Sequence, residues 1–186
     1  QKLTASDAAA GSHFGRSVSV SGDRIVVGAK DAAYVFRNQG GTWIQVKKLT
    51  ASDAAGNNFG WSVSVSGDII AVGAISDKDE GKSSAVYVFS KDKDGTDNWG
   101  LVKKLKASDT DDKYFGVSVS VSGDFIVAGS QGTIFGHINS GAAYVFYKNQ
   151  YGTDNWGQTK RITAEDAVLG DNFGFAVSVS GNTLVV

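Results

Sequence analysis

The chain has no cysteine and no methionine among its 186 residues. Without cysteine there is no disulfide framework, no thiolate-ligated zinc site and no thiol chemistry, although the redox compartment stays open. No apolar run approaches the roughly 20 residues of a membrane-spanning helix, so no membrane insertion is expected. No basic start followed by an apolar stretch marks a signal peptide. With no initiator methionine either, the chain reads as a processed or excised piece. Neither sign of charge dominates: 18 Lys+Arg stand against 19 Asp+Glu, a formal net charge of -1. That balance excludes a general nucleic-acid binder. No stretch sustains a 3.6-residue apolar period, so the elements are not amphipathic helices. What is present is 41% hydrophobic residues and 24 glycines, too apolar for a disordered chain at this charge. The length suits one domain or a run of small repeats.

The repeat is explicit. Phe-Gly occurs at Phe14-Gly15, Phe59-Gly60, Phe115-Gly116 and Phe173-Gly174, at spacings of 45, 56 and 58 residues. Each copy runs into a near-identical phrase: RSVSVSGD (16–23), WSVSVSGD (61–68), VSVSVSGD (117–124) and FAVSVSGN (175–182). An apolar stretch follows, then Tyr-Val-Phe at 34–36, 87–89 and 144–146, then Trp43, Trp99 or Trp156. The unit closes on LTASD (49–53), LKASD (105–109) or ITAED (162–166), and the chain opens on LTASD at 3–7.

Each unit reads as four short strands, a to d. Strand a alternates Val with Ser at period two. Strand b is continuously apolar, as expected where both sheet faces are covered. Strand c, Ala-Tyr-Val-Phe, has high β-propensity. Strand d alternates again from Trp43 to Leu49. Gly-Asp at 22–23 and 67–68 makes the a–b hairpin turn, and Asn-Gln-Gly-Gly (38–41) and Gly-Thr-Asp-Asn (95–98, 152–155) make the c–d turns. Four-stranded units of this period are the signature of β-propeller blades. The fold class is therefore all-β, with four-stranded antiparallel blades. About three and a half repeats are present, expected to form part of a larger ring of about seven blades. One segment, 1–186, divides into units at 13–53, 58–109, 114–166 and a partial 172–186, with 1–7 as the outer strand of a preceding or closing blade.

At these residues the chain resembles the FG-GAP repeat family, the blades of integrin α-subunit-like β-propellers. The resemblance rests on Phe-Gly, the Val-Ser-Val-Ser-Gly-Asp strand and turn, the Val-Gly-Ala at 27–29 and 72–74, and Tyr-Val-Phe, and it covers essentially the whole chain. It implies a propeller serving adhesion, carbohydrate or protein binding, or scaffolding, in a secreted or cell-surface protein. One departure is clear. Many members carry an Asp-rich calcium loop between strands a and b, whereas here that connection is Ser-Gly-Asp or Ser-Gly-Asn. A two-residue turn cannot supply the six to eight oxygens that calcium takes.

Loop lengths then place the function. The a–b turns barely vary, while the b–c connections run from two or three residues at Lys30-Asp31 to Ser76–Ser84 and Gln131–Gly141. Variable loops on a constant scaffold are where binding usually sits, so the face shared by the d–a and b–c loops is the expected binding face. The residue after each Phe-Gly also varies there: Arg16, Trp61, Val117 and Phe175. Arg16, Trp61 and Phe175, with His137 in the long third loop, are the candidate ligand-binding residues; packing between blades is the competing role. Two acidic groups could hold a metal, calcium being the ion that oxygen donors suit. One is Asp77, Asp79 and Glu80; the other is Asp92, Asp94 and Asp97. A solvated loop and a plain turn are their competing readings. The recurrent Asp7, Asp53, Asp109 and Asp166 are expected to bond their own backbone in the d–a loop. The basic pairs Lys47-Lys48, Lys103-Lys104 and Lys160-Arg161 are expected to guard outer edge strands. The serines read as the small half of the strand alternation. No nucleophile context or phosphate loop is found.

The expected function is a non-catalytic extracellular or cell-surface scaffold binding a protein or glycan. A structural subunit that self-associates through its incomplete blade is the alternative, and a metal-dependent hydrolase or lyase the minor one.

Overall fold

The computed structural model describes residues 1–54, 56–76, 84–108, 114–131, 140–153, 155–168 and 170–186. The described residues are all β apart from one 3-10 turn at Ser52–Ala54. The first sheet comprises β1 (Ser17–Ser21), β2 (Arg24–Ala29), β3 (Ala32–Gln39) and β4 (Thr42–Leu49). The second comprises β5 (Phe59–Ser66), β6 (Ile69–Ala74), β7 (Ala85–Ser90) and β8 (Gly100–Leu105). The third comprises β9 (Ser118–Ser122), β10 (Phe125–Ser130), β11 (Ala142–Tyr147) and β12 (Gly157–Ile162). A hairpin of β13 (Ser178–Ser180) and β14 (Thr183–Val185) follows. Every sheet is a simple antiparallel meander, in the strand order expected for propeller blades. Residues 1–7, expected as an outer strand, carry no strand pairing. They run instead along β4, where the Gln1 amide exchanges hydrogen bonds of 3.0 and 2.8 Å with the Trp43 backbone.

The sheets stack face on face, and each has two unlike faces. The face toward the preceding sheet carries the large rings. Phe59 packs edge-on against Tyr87 and Phe89 of its own sheet, at centroid distances of 5.4 and 6.1 Å. Phe14 and Phe115 repeat the arrangement against Tyr34 and Phe36, and against Tyr144 and Phe146. The opposite face is small. Val26, Ala33 and Val35 of the first sheet receive Phe59, Tyr87, Phe89 and Trp99 of the second. Ala71, Val86 and Val88 of the second receive Phe115, Tyr144, Phe146 and Trp156 of the third. Small against large is how two layers interdigitate at interior density. Each buried aromatic ring removes enough apolar surface to stabilise the stack by about 2–3 kcal/mol.

Phe-Gly sets the approach distance. The residue before each Phe takes a left-handed backbone: His13, Asn58, Tyr114 and Asn172 have φ of 49, 47, 58 and 55°. The glycine after it has φ between 86 and 93°, a region that a Cβ disfavours. The turn closes by a hydrogen bond from the residue after the glycine, as from Trp61 N–H to the Asn58 carbonyl at 3.0 Å. It drives the glycine carbonyl into the preceding sheet. There it meets the glycine of strand b: a Cβ built on Gly28 would lie 2.2 Å from the Gly60 oxygen, and one on Gly73 would lie 2.1 Å from the Gly116 oxygen. Both sides of this contact therefore require glycine.

Serine completes the junction. The Ser17, Ser62 and Ser118 hydroxyls donate to the Gly60, Gly116 and Gly174 carbonyls at 3.1, 2.7 and 2.8 Å. Further along strand a, Ser19, Ser64 and Ser120 Oγ accept from Val65, Val121 and Val179 N–H, each at 3.0 Å. The inner strand of a meander would otherwise leave those edge amides without partners. The Val/Ser alternation thus has two functions: valine fills the core toward one neighbour, and serine bonds the backbone of the other.

Gly73→Ala is expected to destabilise the chain by about 3 kcal/mol, since neither backbone can retreat. Gly67→Ala, where nothing lies within 4 Å of the added Cβ, should cost only the left-handed strain of about 1–2 kcal/mol. Urea unfolding of both variants checks the difference.

Candidate functional site

The end of the sheets where strands a begin and strands b meet c holds the candidate ligand residues. Arg16 lies immediately before β1, and Trp61 follows Gly60 within β5. Their side chains meet, with the Arg16 guanidinium carbon 3.3 Å from the Trp61 ring centroid. At that distance the two planar groups are in stacking contact. Burial against the ring lowers the Arg16 pKa from its ordinary value. Among the described residues, Arg16 has no side-chain ion pair. Phe175 is 60% exposed before β13, and Val117 is half-buried. Structure thus brings Arg16 and Trp61 together; His137 lies outside the described residues.

The β2–β3 hairpin supports this end. Lys30 N–H donates to the Ser12 carbonyl at 2.7 Å, and Gly15 N–H to the Gly28 carbonyl at 3.1 Å. Asp31, at φ 61°, makes the turn, and its Oδ1 is buried with no hydrogen-bond partner among the described residues. Gly60 presses on the same hairpin, since a Cβ there would lie 2.2 Å from the Ala32 oxygen and 2.4 Å from the Ala29 oxygen.

The two acidic groups fare differently. Asp77, Asp79 and Glu80 lie outside the described residues. Asp92, Asp94 and Asp97 share the c–d turn of the second sheet but do three separate jobs. The Asp92 carboxylate accepts from Asp97 N–H. The Asp94 carboxyl lies over Gly100, where a Cβ would come within 2.4 Å of it. Asp97 reaches back to the first sheet, pairing with Arg37 and, at 2.8 Å, with Arg24, whose side chain is 9% exposed. Its single charge is shared by two guanidiniums, one of which also pairs with Asp23, so the turn does not gather three carboxylates for calcium. No group of three or more metal-ligating side chains occurs among the described residues.

Of the recurrent d–a aspartates, Asp7 and Asp53 bond their own backbone, as expected, and also reach across the junction; Asp109 lies outside the described residues. Asp7 accepts from Tyr34 at 2.8 Å and from Lys48 at 2.5 Å. Asp53 accepts from Tyr87 at 3.0 Å and from Lys104 at 2.7 Å. In each case the Tyr and Lys are directly opposed on strands c and d. The hydrogen bond from lysine, aided by the tyrosine, holds both carboxyls below the ordinary aspartate value. The first lysine of each pair points onward: Lys47 and Lys103 donate to Asn98 and Asn155 in the next c–d turn, at 2.5 and 2.8 Å. The basic pairs therefore bond specific partners as well as charging an edge. An Asp recurs ahead of each Tyr-Val-Phe, but Asp7 stands 27 and Asp53 34 residues before its tyrosine, so no fixed spacing marks the pairing.

A family profile described as FG-GAP repeat matches residues 1–40, 43–89, 99–146 and 156–186, and the chain belongs to that family. No curated protein matches the chain. Among the described residues, no helix is long and apolar enough to cross a membrane. The matched units 43–89 and 99–146 begin at strand d of one sheet and end on strand c of the next, one strand out of phase with the sheets.

Because the folded Asp53 pKa lies below its usual 3.8, its contribution is complete above that value and is lost as pH falls through the depressed one. Asp53→Asn should cost about 0.5–1 kcal/mol at neutral pH. The gap to wild type should be full above pH 3.8 and narrow as the pH falls below it through the depressed value, which unfolding curves at successively lower pH will show.

Proposed function

We propose that the chain is a non-catalytic recognition scaffold, working outside the cell or at its surface, that binds a protein or glycan through the end where strands b meet strands c. One observation carries this. The framework repeats nearly residue for residue, with every a–b turn closed by a glycine at φ 53–56°. The b–c connections at the opposite end run from the Lys30–Asp31 turn to the far longer segments between β6 and β7 and between β10 and β11. The c–d connections lengthen too, but their second and third copies share Gly-Thr-Asp-Asn, whereas the two long b–c connections share no phrase, and such sequence freedom on a repeated stack is the pattern of a binding surface. The family supports the same reading, since FG-GAP repeats occur in extracellular proteins and generally form non-catalytic domains.

Arrays of glycans and purified ectodomains test it. Shortening both long connections to the two-residue form of Lys30–Asp31 should reduce capture at least tenfold. Asp23→Asn, Asp68→Asn and Asp124→Asn on the a–b turns should leave it intact. Capture that survives the first change and fails with the second would place the binding face at the other end.

A second reading, self-association, draws on the outward strands. Val18 and Val20 of β1 are 66 and 67% exposed, while the equivalent Val63 and Val65, covered by the first sheet, are 7 and 5% exposed. A copy seated on β1 would cover them. Sedimentation should then show concentration-dependent assembly that Val18→Lys abolishes; a monomer at all concentrations removes this reading.

A further inference from the structure

The contact between Arg16 and Trp61 is not required by the stack. The first junction is already held by Phe59, by the Gly60 carbonyl in its glycine seat and by Ser17. At the second and third junctions the same position is taken by Val117 and Phe175, without a stacked cation. What the pair does achieve is orientation. A guanidinium lying flat on an indole keeps its N–H edges turned sideways, parallel to the ring and free to donate, with little rotamer freedom left to lose on binding. Among the described residues, no carboxylate pairs with them.

The same hairpin end holds an acceptor without a donor. Asp31 Oδ1 is buried and has no hydrogen-bond partner among the described residues. Buried acceptors normally find one, and an unmet one calls for a ligand or water. Asp31 follows Lys30, which is tied to Ser12, one residue before the His13–Arg16 turn. Gly60, next to Trp61, abuts the backbone on both sides of the Lys30–Asp31 turn. Unused cationic donors, an indole and an unused carboxylate acceptor thus converge on one hairpin.

We propose that this end of the first two sheets binds an acidic saccharide. Arg16, held on Trp61, takes the carboxylate or sulfate of the sugar, and Asp31 accepts one of its hydroxyls. An acidic peptide side chain would satisfy the arginine and repel the aspartate; a saccharide offers both an anion and hydroxyl donors on one rigid ring. The inference rests on the recognition-scaffold reading and names the ligand class for that face.

The test titrates the full chain by calorimetry with four probes: a sulfated heparin hexasaccharide, a carboxylated hyaluronan hexasaccharide, neutral chitohexaose and a hexaglutamate peptide. At least one of the two charged saccharides should bind saturably, and binding of hyaluronan, which carries carboxylate but no sulfate, shows that a carboxylate suffices as the anion. Chitohexaose and hexaglutamate should bind at least roughly tenfold more weakly. Arg16→Gln should weaken binding by roughly tenfold or more, and Arg16→Lys, which keeps the charge but not the flat fork, by less. Asp31→Asn gives the sharpest reading. Bulk charge attraction predicts that removing this negative group tightens binding of an anion, whereas a hydroxyl bond to the carboxylate predicts weaker binding. Thermal unfolding of each variant confirms that it is folded.

Binding of neither charged saccharide, indifference to Arg16→Gln, equal affinity for hexaglutamate, or tighter binding by Asp31→Asn would each overturn the inference. Loop-dependent capture on the arrays that is indifferent to Arg16→Gln would remove this site and leave the scaffold reading standing. Arrays that fail with the wild-type chain would strike that reading instead.

Discussion

The stack depends on one close approach: a glycine carbonyl of one sheet set against a glycine of the sheet before it, with a serine hydroxyl bonded to the same oxygen. No side chain can take the place of either glycine, so backbone meets backbone at a distance ordinary packing does not allow. The phenylalanine ahead of that carbonyl is thereby lowered onto its own Tyr and Phe and into the small face of its neighbour. The left-handed residue at His13, Asn58, Tyr114 and Asn172 is strained so that the carbonyl points the right way. Core, turn and inner-strand hydrogen bonds all follow from that contact.

Much of this was readable from residues alone. Period two in Val-Ser-Val-Ser, the unbroken apolar strand b and Tyr-Val-Phe identify strands because burial on one or two faces leaves a direct trace in sequence. The meander and its stacking came from the repeat itself. The serines were legible as strand but not as bonds, since a small polar residue on a pleat looks the same whether it faces water or a neighbour's amide. For a related reason the aspartates are legible only as turn residues, not as partners of a distant Tyr and Lys. Asp in a turn has a ready local partner, and only the fold brings Asp53 beside Tyr87 and Lys104. Asp97 likewise looked like part of a calcium loop until its position beside Arg24 and Arg37 was known.

The candidate site was half legible. The varying residue after Phe-Gly marked Arg16 and Trp61, but whether two such residues touch depends on the spacing of the sheets, which no local pattern records. Asp31 gave no signal at all. Its interest lies in an oxygen left without a donor, a property of the folded surroundings rather than of the residue.

The family's unit and the hydrogen-bonded layer are out of phase by one strand. Of the fifteen buried residues in the core between the first two sheets, eleven fall inside the single unit 43–89, the others being Val26, Ala33, Val35 and Trp99. Each layer is in turn stitched from two consecutive units, like courses of brick laid with overlapping joints. A unit cannot peel away at a seam, because separating it means both prying apart a packed face and shearing an outer strand from its ladder. Tandem duplication of such a unit copies its large-ringed face and its small face together, so the array can lengthen without any new surface having to be fitted.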